Sequence, residues 1–250
     1  MKLTKKMLEE YKQKGVLVIP NVFTKEEMEQ LKKEAYATNP HDISLAGYPH
    51  RPSEQAKNKL SLIFFPALAN EYINKIRTDE RMVKIVQHFL GTGDIKQVNN
   101  QIYFREAGDE DEFAWHQDIV FRKPADMFPN VEDGYLQTII AVDDMTETNG
   151  GIEFIDGSHL HGAQEITSNS AVTQMLRHFK RMGMYGKKYE AKAGSVMVWN
   201  VLTIHGSEAN KSDSDRMTYM NGFCKAENCL GYPYYIKNGA IAPLEARLIP

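Results

Sequence analysis

The chain opens with apolar positions at helical period. Over 4–14, Met7, Leu8 and Tyr11 fall on one face, and Gly15 follows as a natural C′ residue. The apolar run VLVIP (16–20) reads as a short strand stopped by proline. A second helix has a marked start: Thr24 as N-cap, Glu27 as its capping-box partner, and Phe23 with Met28 as a hydrophobic staple. Met28, Leu31 and Ala35 are its expected inner face. Residues 38–60 are polar and interrupted by Pro40 and Pro52, which predicts a long loop. Two more helical patterns follow: Leu68, Tyr72, Ile73 and Ile76, then Met82, Val83, Val86, Phe89 and Leu90, closed by Gly91.

From Ile95 the rhythm changes. IKQVNNQIYFRE, LQTIIAVDD, GIEFI, GSVMVWN and MTYMNGFC are short strand candidates separated by turn residues, with Asn149-Gly150-Gly151 a good turn between two of them. Many short strands after a helical opening predict a mainly β protein with flanking helices, its strands closed into a barrel or sandwich. The expected plan is a single domain, 1–250: a helical third (1–92), a β core (93–225) and a C-terminal tail (226–250). The stretch 160–190 breaks the strand rhythm and is partly helical, the place where a lid or recognition segment would sit.

Composition narrows the possibilities. At 250 residues the chain can bury a substantial core, and a net charge of −3 with scattered Lys and Arg gives no footprint for nucleic acid. No apolar run approaches bilayer length, and the N-terminus lacks the apolar stretch of a secretory signal. Cys224 and Cys229 make no disulfide framework and read as free thiols, which makes the cytoplasm the expected location.

The candidate chemistry begins in FAWHQDIVF (113–121). His116 and Asp118, two residues apart on an extended segment, project to the same side and could fill two corners of a metal's coordination sphere. Of the other histidines, His41, His50, His88, His159, His161 and His178 read as surface or capping groups. His205 differs, because it stands where an apolar strand ends. Two histidines and a carboxylate form a facial triad that leaves adjacent positions open, a pattern diagnostic for non-heme Fe(II) oxygenases. Arg216 opens a later core strand, and a guanidinium held there suits a bidentate grip on a carboxylate. Its plainer reading is an ion pair with Asp213 or Asp215.

With these residues in place, the sequence resembles the phytanoyl-CoA dioxygenase-like branch of the Fe(II)/2-oxoglutarate-dependent oxygenases. The matching stretches are YKQKGVLVIPNVFTKEEMEQL (11–31), WHQD (115–118), NGGIEFIDGSH (149–159), GSVMVWN (194–200) and HGSEAN followed by Arg216. The resemblance implies a double-stranded β-helix (jelly-roll) core and iron held by His116, Asp118 and His205. It also implies that the distal carboxylate of 2-oxoglutarate sits on Arg216. In such enzymes 2-oxoglutarate is decarboxylated to succinate, and O₂ supplies the oxygen that hydroxylates an unactivated C–H. Halogenating relatives lack the carboxylate, so Asp118 favours hydroxylation.

Four other residues are candidates for contact with 2-oxoglutarate: Ser207, Gln101, Tyr103 and Gln137. Each has a plain alternative, Ser207 as a turn cap and the rest as barrel-lining polar groups. Trp115 and Trp199 read as core or pocket-wall aromatics. Arg122-Lys123, the 160–190 stretch and the aromatic tail 231–239 depart from the shared motifs and are expected to shape a substrate pocket. Arg122, Lys123 and Arg105 favour a small metabolite with an acidic group, and no basic cluster suggests a CoA phosphate. Desaturation, epimerisation or ring formation with the same cofactors is an alternative outcome. A non-catalytic jelly-roll binding module is another.

Overall fold

The computed structural model describes residues 2–43, 51–52, 60–166 and 168–249. His50 and most of the expected 38–60 loop lie outside the described residues. Helix α1 (Lys5–Lys14) is capped by the Thr4 side chain and ends at Gly15, whose φ of 78° is the left-handed turn expected there. A Cβ at Gly15 would meet His159 and Thr203, so both conformation and space call for glycine. Strand β1 (Val16–Ile19) follows, then α2 (Lys25–Ala37), where both hydrogen bonds of the Thr24–Glu27 capping box form. Short strands β2 (Arg51–Pro52) and β3 (Leu60–Phe64) precede α3 (Glu71–Arg77) and α4 (Glu80–Leu90). Leu68 falls outside α3, in a 3₁₀ turn begun by Pro66.

The β region supplies β4 (Ile95–Arg105), β5 (Phe113–His116), β6 (Tyr135–Ala141), β7 (Ile152–Ile155), α5 (Asn169–Arg181), β8 (Gly186–Lys188), β9 (Val196–Asn200), β10 (His205–Ser207), β11 (Arg216–Lys225), β12 (Tyr234–Lys237) and β13 (Ala240–Ile241). They form two antiparallel sheets. The larger runs β1-β9-β6-β11-β4-β12-β13, with β3 also on β4 and β2 on β3; the smaller runs β5-β10-β7-β8. This is a jelly roll with strands added from both ends of the chain. Sequence periodicity missed β3 and β12: the first is a five-residue run beside a polar stretch, the second four residues between Pro233 and Asn238.

Alternation along the large sheet explains where the core and the cavity lie. On β9, Val196 and Val198 join the cluster that packs under the helices, with Leu31, Ile73 and Ile85. Met197 and Trp199 point the other way, to Ile139 of β6 and to Ile152 and Phe154 of the small sheet. The same period on β4 and β11 sends Ile102, Phe104, Met217 and Tyr219 to the helix side. It leaves Gln101, Tyr103, Arg105, Arg216, Thr218 and Met220 facing a cavity. Helix α5 buries Met175 and Phe179 against Ile155 of β7 and Ile204, which immediately precedes β10. Among the described residues, none from 160–190 lines that cavity.

Candidate active site

β5 and β10 pair antiparallel with His116 directly opposite His205, and their rings lie 4.2 Å apart. Past β5 the chain tightens into a 3₁₀ turn at Asp118–Phe121, which tucks the Asp118 carboxylate under both rings. Its Oδ1 lies 3.7 Å from His116 Nε2 and 3.9 Å from His205 Nε2. These separations are too long for hydrogen bonds and suit three atoms around one ion. One ligand atom from each residue lies within 4.8 Å of the others, so the described residues bring together a set that could hold a metal.

The surrounding contacts prepare those atoms. His116 Nδ1 is 2.9 Å from the Ala114 carbonyl, and His205 Nδ1 is 2.9 Å from that of Thr203. A carbonyl only accepts, so each Nδ1 carries the proton and each Nε2 presents a lone pair. Trp199 donates its indole N–H to Asp118 Oδ2 at 2.8 Å, leaving Oδ1 for the histidine side. Phe154 stacks on the His205 ring at 5.4 Å.

Burial, together with the nearby His116, pushes His205 down to about 4, against the pull of Asp118. Burial alone would raise the Asp118 carboxyl, but His205, His116 and Arg122 hold it well below the usual carboxylate range. The His205 shift bears on stability. In the unfolded chain its imidazole protonates near 6.5, and in the folded metal-free protein only near 4. The unfolded state therefore binds the proton first as pH falls, and folding stability declines between about pH 6.5 and 4. His205→Gln is expected to flatten that decline. Urea midpoints of the metal-free protein from pH 7 to 4.5 would show it, and an unchanged slope would exclude His205 as the cause.

Arg216 is buried at the start of β11, directly across from Arg105 on β4. Burial and the Arg105 charge push its guanidinium down to about 9. Its Nε has no acceptor, and among the described residues no carboxylate pairs with it. The ion pair with Asp213 or Asp215 does not form: Asp215 instead accepts from the Ala107 backbone N–H. Arg105 is occupied, donating to Ser207 Oγ at 3.0 Å and to the Asp111 carbonyl and lying 3.6 Å from Asp109.

Triad, Arg216, Ser207, Gln101 and Tyr103 all line one cavity of about 340 Å³. Gln101 and Tyr103 are bonded to each other, Tyr103 donating at 3.3 Å. Gln137 is the exception. It is fully buried beneath the cavity wall, and its Oε1 accepts from Tyr135 at 2.7 Å. The expected pocket-shaping segments also divide: Arg122 and Tyr232 reach the cavity, while Lys123 is exposed. Periodicity could not show the Trp199–Asp118 bond, because no local spacing links the two. His159 takes the capping role: its Nε2 bonds the Lys12 carbonyl in the last turn of α1 at 3.1 Å, and its Nδ1 is buried without a partner. The Nε2 of His88 is also buried and unpartnered.

The chain is similar to known proteins in both sequence and fold. The family described as Phytanoyl-CoA dioxygenase (PhyH) matches residues 11–218. An ectoine dioxygenase of Stutzerimonas stutzeri (strain A1501) is 24% identical over 243 residues, covering 91% of this chain and 79% of that protein. A probable alpha-ketoglutarate-dependent hypophosphite dioxygenase of Stutzerimonas stutzeri is 25% identical over 230 residues, covering 87% and 77%. The crystal structure of EctD from S. alaskensis with 2-oxoglutarate and 5-hydroxyectoine superposes with a TM-score of 0.77 at 18% identity, over 99% of this chain and 85% of that one. That of the alpha-ketoglutarate-dependent carbocyclase SnoK superposes at 0.72 and 16% identity, over 98% and 95%. The chain belongs to the phytanoyl-CoA dioxygenase family.

Proposed function

We propose that His116, Asp118 and His205 hold the ferrous ion, that Arg216 with Ser207 receives the distal carboxylate of 2-oxoglutarate, and that the protein hydroxylates an unactivated C–H of a small metabolite. The observation that carries the co-substrate assignment is the Arg216 guanidinium: buried, lacking an acceptor at Nε, and set in the wall of the cavity that the triad also lines. A buried cation without a counter-charge is costly, and a dicarboxylate reaching from the triad would supply one.

The residues fit the metal. Two imidazoles presenting Nε2 and one carboxylate oxygen are the donors a facial Fe(II) site requires. The chemistry a ferrous ion held by these residues would supply is the coupling of O₂ and 2-oxoglutarate consumption to insertion of one oxygen atom into a C–H bond, with succinate and CO₂ released. The protein supplies orientation and dryness. The Ala114 and Thr203 carbonyls fix the imidazole tautomers, and the Trp199 N–H fixes the carboxylate. Ile139, Ile152 and Met220 line the cavity as apolar wall, while Phe113 and Phe121 stand half-exposed at its edge.

Gln101 and Tyr103 are the polar groups best placed to contact 2-oxoglutarate or substrate, because both line the same cavity. A single catalytic domain working in the cytoplasm is the accompanying reading, supported by the two free buried thiols. A different oxidative outcome with the same cofactors would use this site unchanged, so product analysis decides between them.

The test is direct. Metal-dependent binding of 2-oxoglutarate should raise the thermal midpoint, since a ligand at a hundred times its Kd adds about 2.7 kcal/mol. Turnover should release succinate with matching O₂ uptake. Failure to bind 2-oxoglutarate in the presence of Fe(II) would overturn the assignment.

A further inference from the structure

Among the described residues, the charged side chains lining the cavity are Asp118, Arg105, Arg122 and Arg216. On the assignment proposed above, which this inference rests on, three of them are accounted for. A divalent metal with Asp118 leaves one positive charge, and Arg216 adds a second. The two carboxylates of 2-oxoglutarate cancel both. Arg105 has Asp109 at 3.6 Å. Arg122 remains.

Arg122 is held in place rather than trailing in solvent. Its guanidinium lies over the Tyr135 ring at 4.6 Å and donates to the Tyr135 hydroxyl and, at 3.5 Å, to Gln137 Oε1. Among the described residues, no carboxylate pairs with it. Its Nε is buried without an acceptor. Two neighbours share that condition: Gln137 Nε2 and Asn99 Oδ1 are also buried and unpartnered, and Asn99 and Arg122 both line the cavity. Unmet polar atoms therefore cluster around a cation beside the triad, where native structures seldom leave even one.

Arg77 provides the contrast. It too is buried without a carboxylate, yet it donates to Asn74 at 2.8 Å and Gln97 at 3.2 Å, and none of its buried nitrogens is left unmet. It lines no described cavity and reads as structural. Arg122 combines the unmet donor with a place in the cavity wall. It also follows Asp118 closely in the chain, at the end of the same tight turn.

We propose that Arg122 is the substrate anchor, and that the substrate is a small monoanion whose acid group, a carboxylate or a phosphorus oxyanion, binds the Arg122 guanidinium beside Asn99. Leu62, Phe64, Val98 and Met220 line the cavity as apolar surface for the remainder of the substrate. The cavity of about 340 Å³ is shared with 2-oxoglutarate, which favours a small substrate. A CoA thioester, large and multiply charged, does not meet this description.

The test uses the full-length protein, held anaerobically with Fe(II) and 2-oxoglutarate, whose metal-to-ligand charge-transfer band reports a co-substrate bound to iron. Absence of the band would count against the proposed function rather than against Arg122 as anchor. The probes are hypophosphite, butyrate and N-acetylglycine, with butyramide and N-acetylglycinamide as uncharged counterparts. At least one acid should shift the band saturably and neither amide should. Hypophosphite against the organic acids separates phosphorus oxyanions from carboxylates. Arg122→Gln should keep the band and weaken the acid at least about tenfold, the loss of a charged hydrogen-bonding partner. Arg122→Lys, which keeps the charge, should retain the acid-over-amide preference at reduced affinity, and it decides the matter should the Gln variant not fold. The proposal is overturned if no acid shifts the band or the amides bind equally well. It is also overturned if the acid binds the Gln variant as it binds the parent, or if the Lys variant loses the preference.

Discussion

Asp118→Asn is expected to lower succinate formation by about three orders of magnitude, an activation penalty near 4 kcal/mol, while the fold survives. Asparagine matches aspartate in volume and can still accept from the Trp199 indole, now at 2.8 Å. What it removes is the negative charge from the three-residue donor set. Asp118→Ala removes the charge and the acceptor together, so it should be equally inactive and also less stable, because the Trp199 N–H is left buried and unpaired. Comparing the two variants separates the roles. If the asparagine variant kept more than a tenth of the parent activity and bound iron stoichiometrically, the carboxylate would serve Trp199 rather than the metal. Metal content and thermal midpoints, measured beside succinate, complete the comparison.

Arg216→Ala is expected to raise the KM for 2-oxoglutarate by about 30- to 1,000-fold, the 2–4 kcal/mol associated with losing a buried charge-assisted contact. kcat at saturating 2-oxoglutarate should fall much less, since the metal ligands are untouched. Arg216→Lys should recover part of the affinity, because an ammonium supplies the charge without the planar fork. The buried position makes the arithmetic one-sided: the free enzyme already bears the cost of holding this cation beside Arg105, and 2-oxoglutarate removes it on binding. A KM within threefold of the parent would place the distal carboxylate elsewhere.

Much of the fold and of the candidate site is legible in the sequence. The Thr24–Glu27 box and Gly15 are local devices whose chemistry lies within a few residues, and they form as read. His205 stands out because it ends an apolar strand, and the antiparallel register sets it opposite His116. Where sequence and structure part, the missing information is long-range. β12 joins the large sheet only by pairing with β4, and nothing within its four residues announces a partner. Gln137 reads as cavity-facing because a polar group interrupts an apolar strand. Its face is right, since Ile139 on the same side lines the cavity, but its depth is wrong: it lies one period nearer Tyr135. Arg122 and Lys123 look alike as neighbours in sequence, and the turn after Asp118 packs the first, half-buried, against Tyr135 and exposes the second.

Trp199 has a further use. Its indole is completely buried, donates to the carboxylate of the triad and meets the His205 ring edge-on at 5.3 Å. An open-shell ion beside Asp118 would quench its emission, whereas a closed-shell ion such as Zn²⁺ would change it only through the hydrogen bond. The chain's other tryptophan, Trp115, sits on β5 and can be silenced as Trp115→Phe. The protein thus carries its own optical gauge of metal occupancy, readable without substrate, oxygen or turnover.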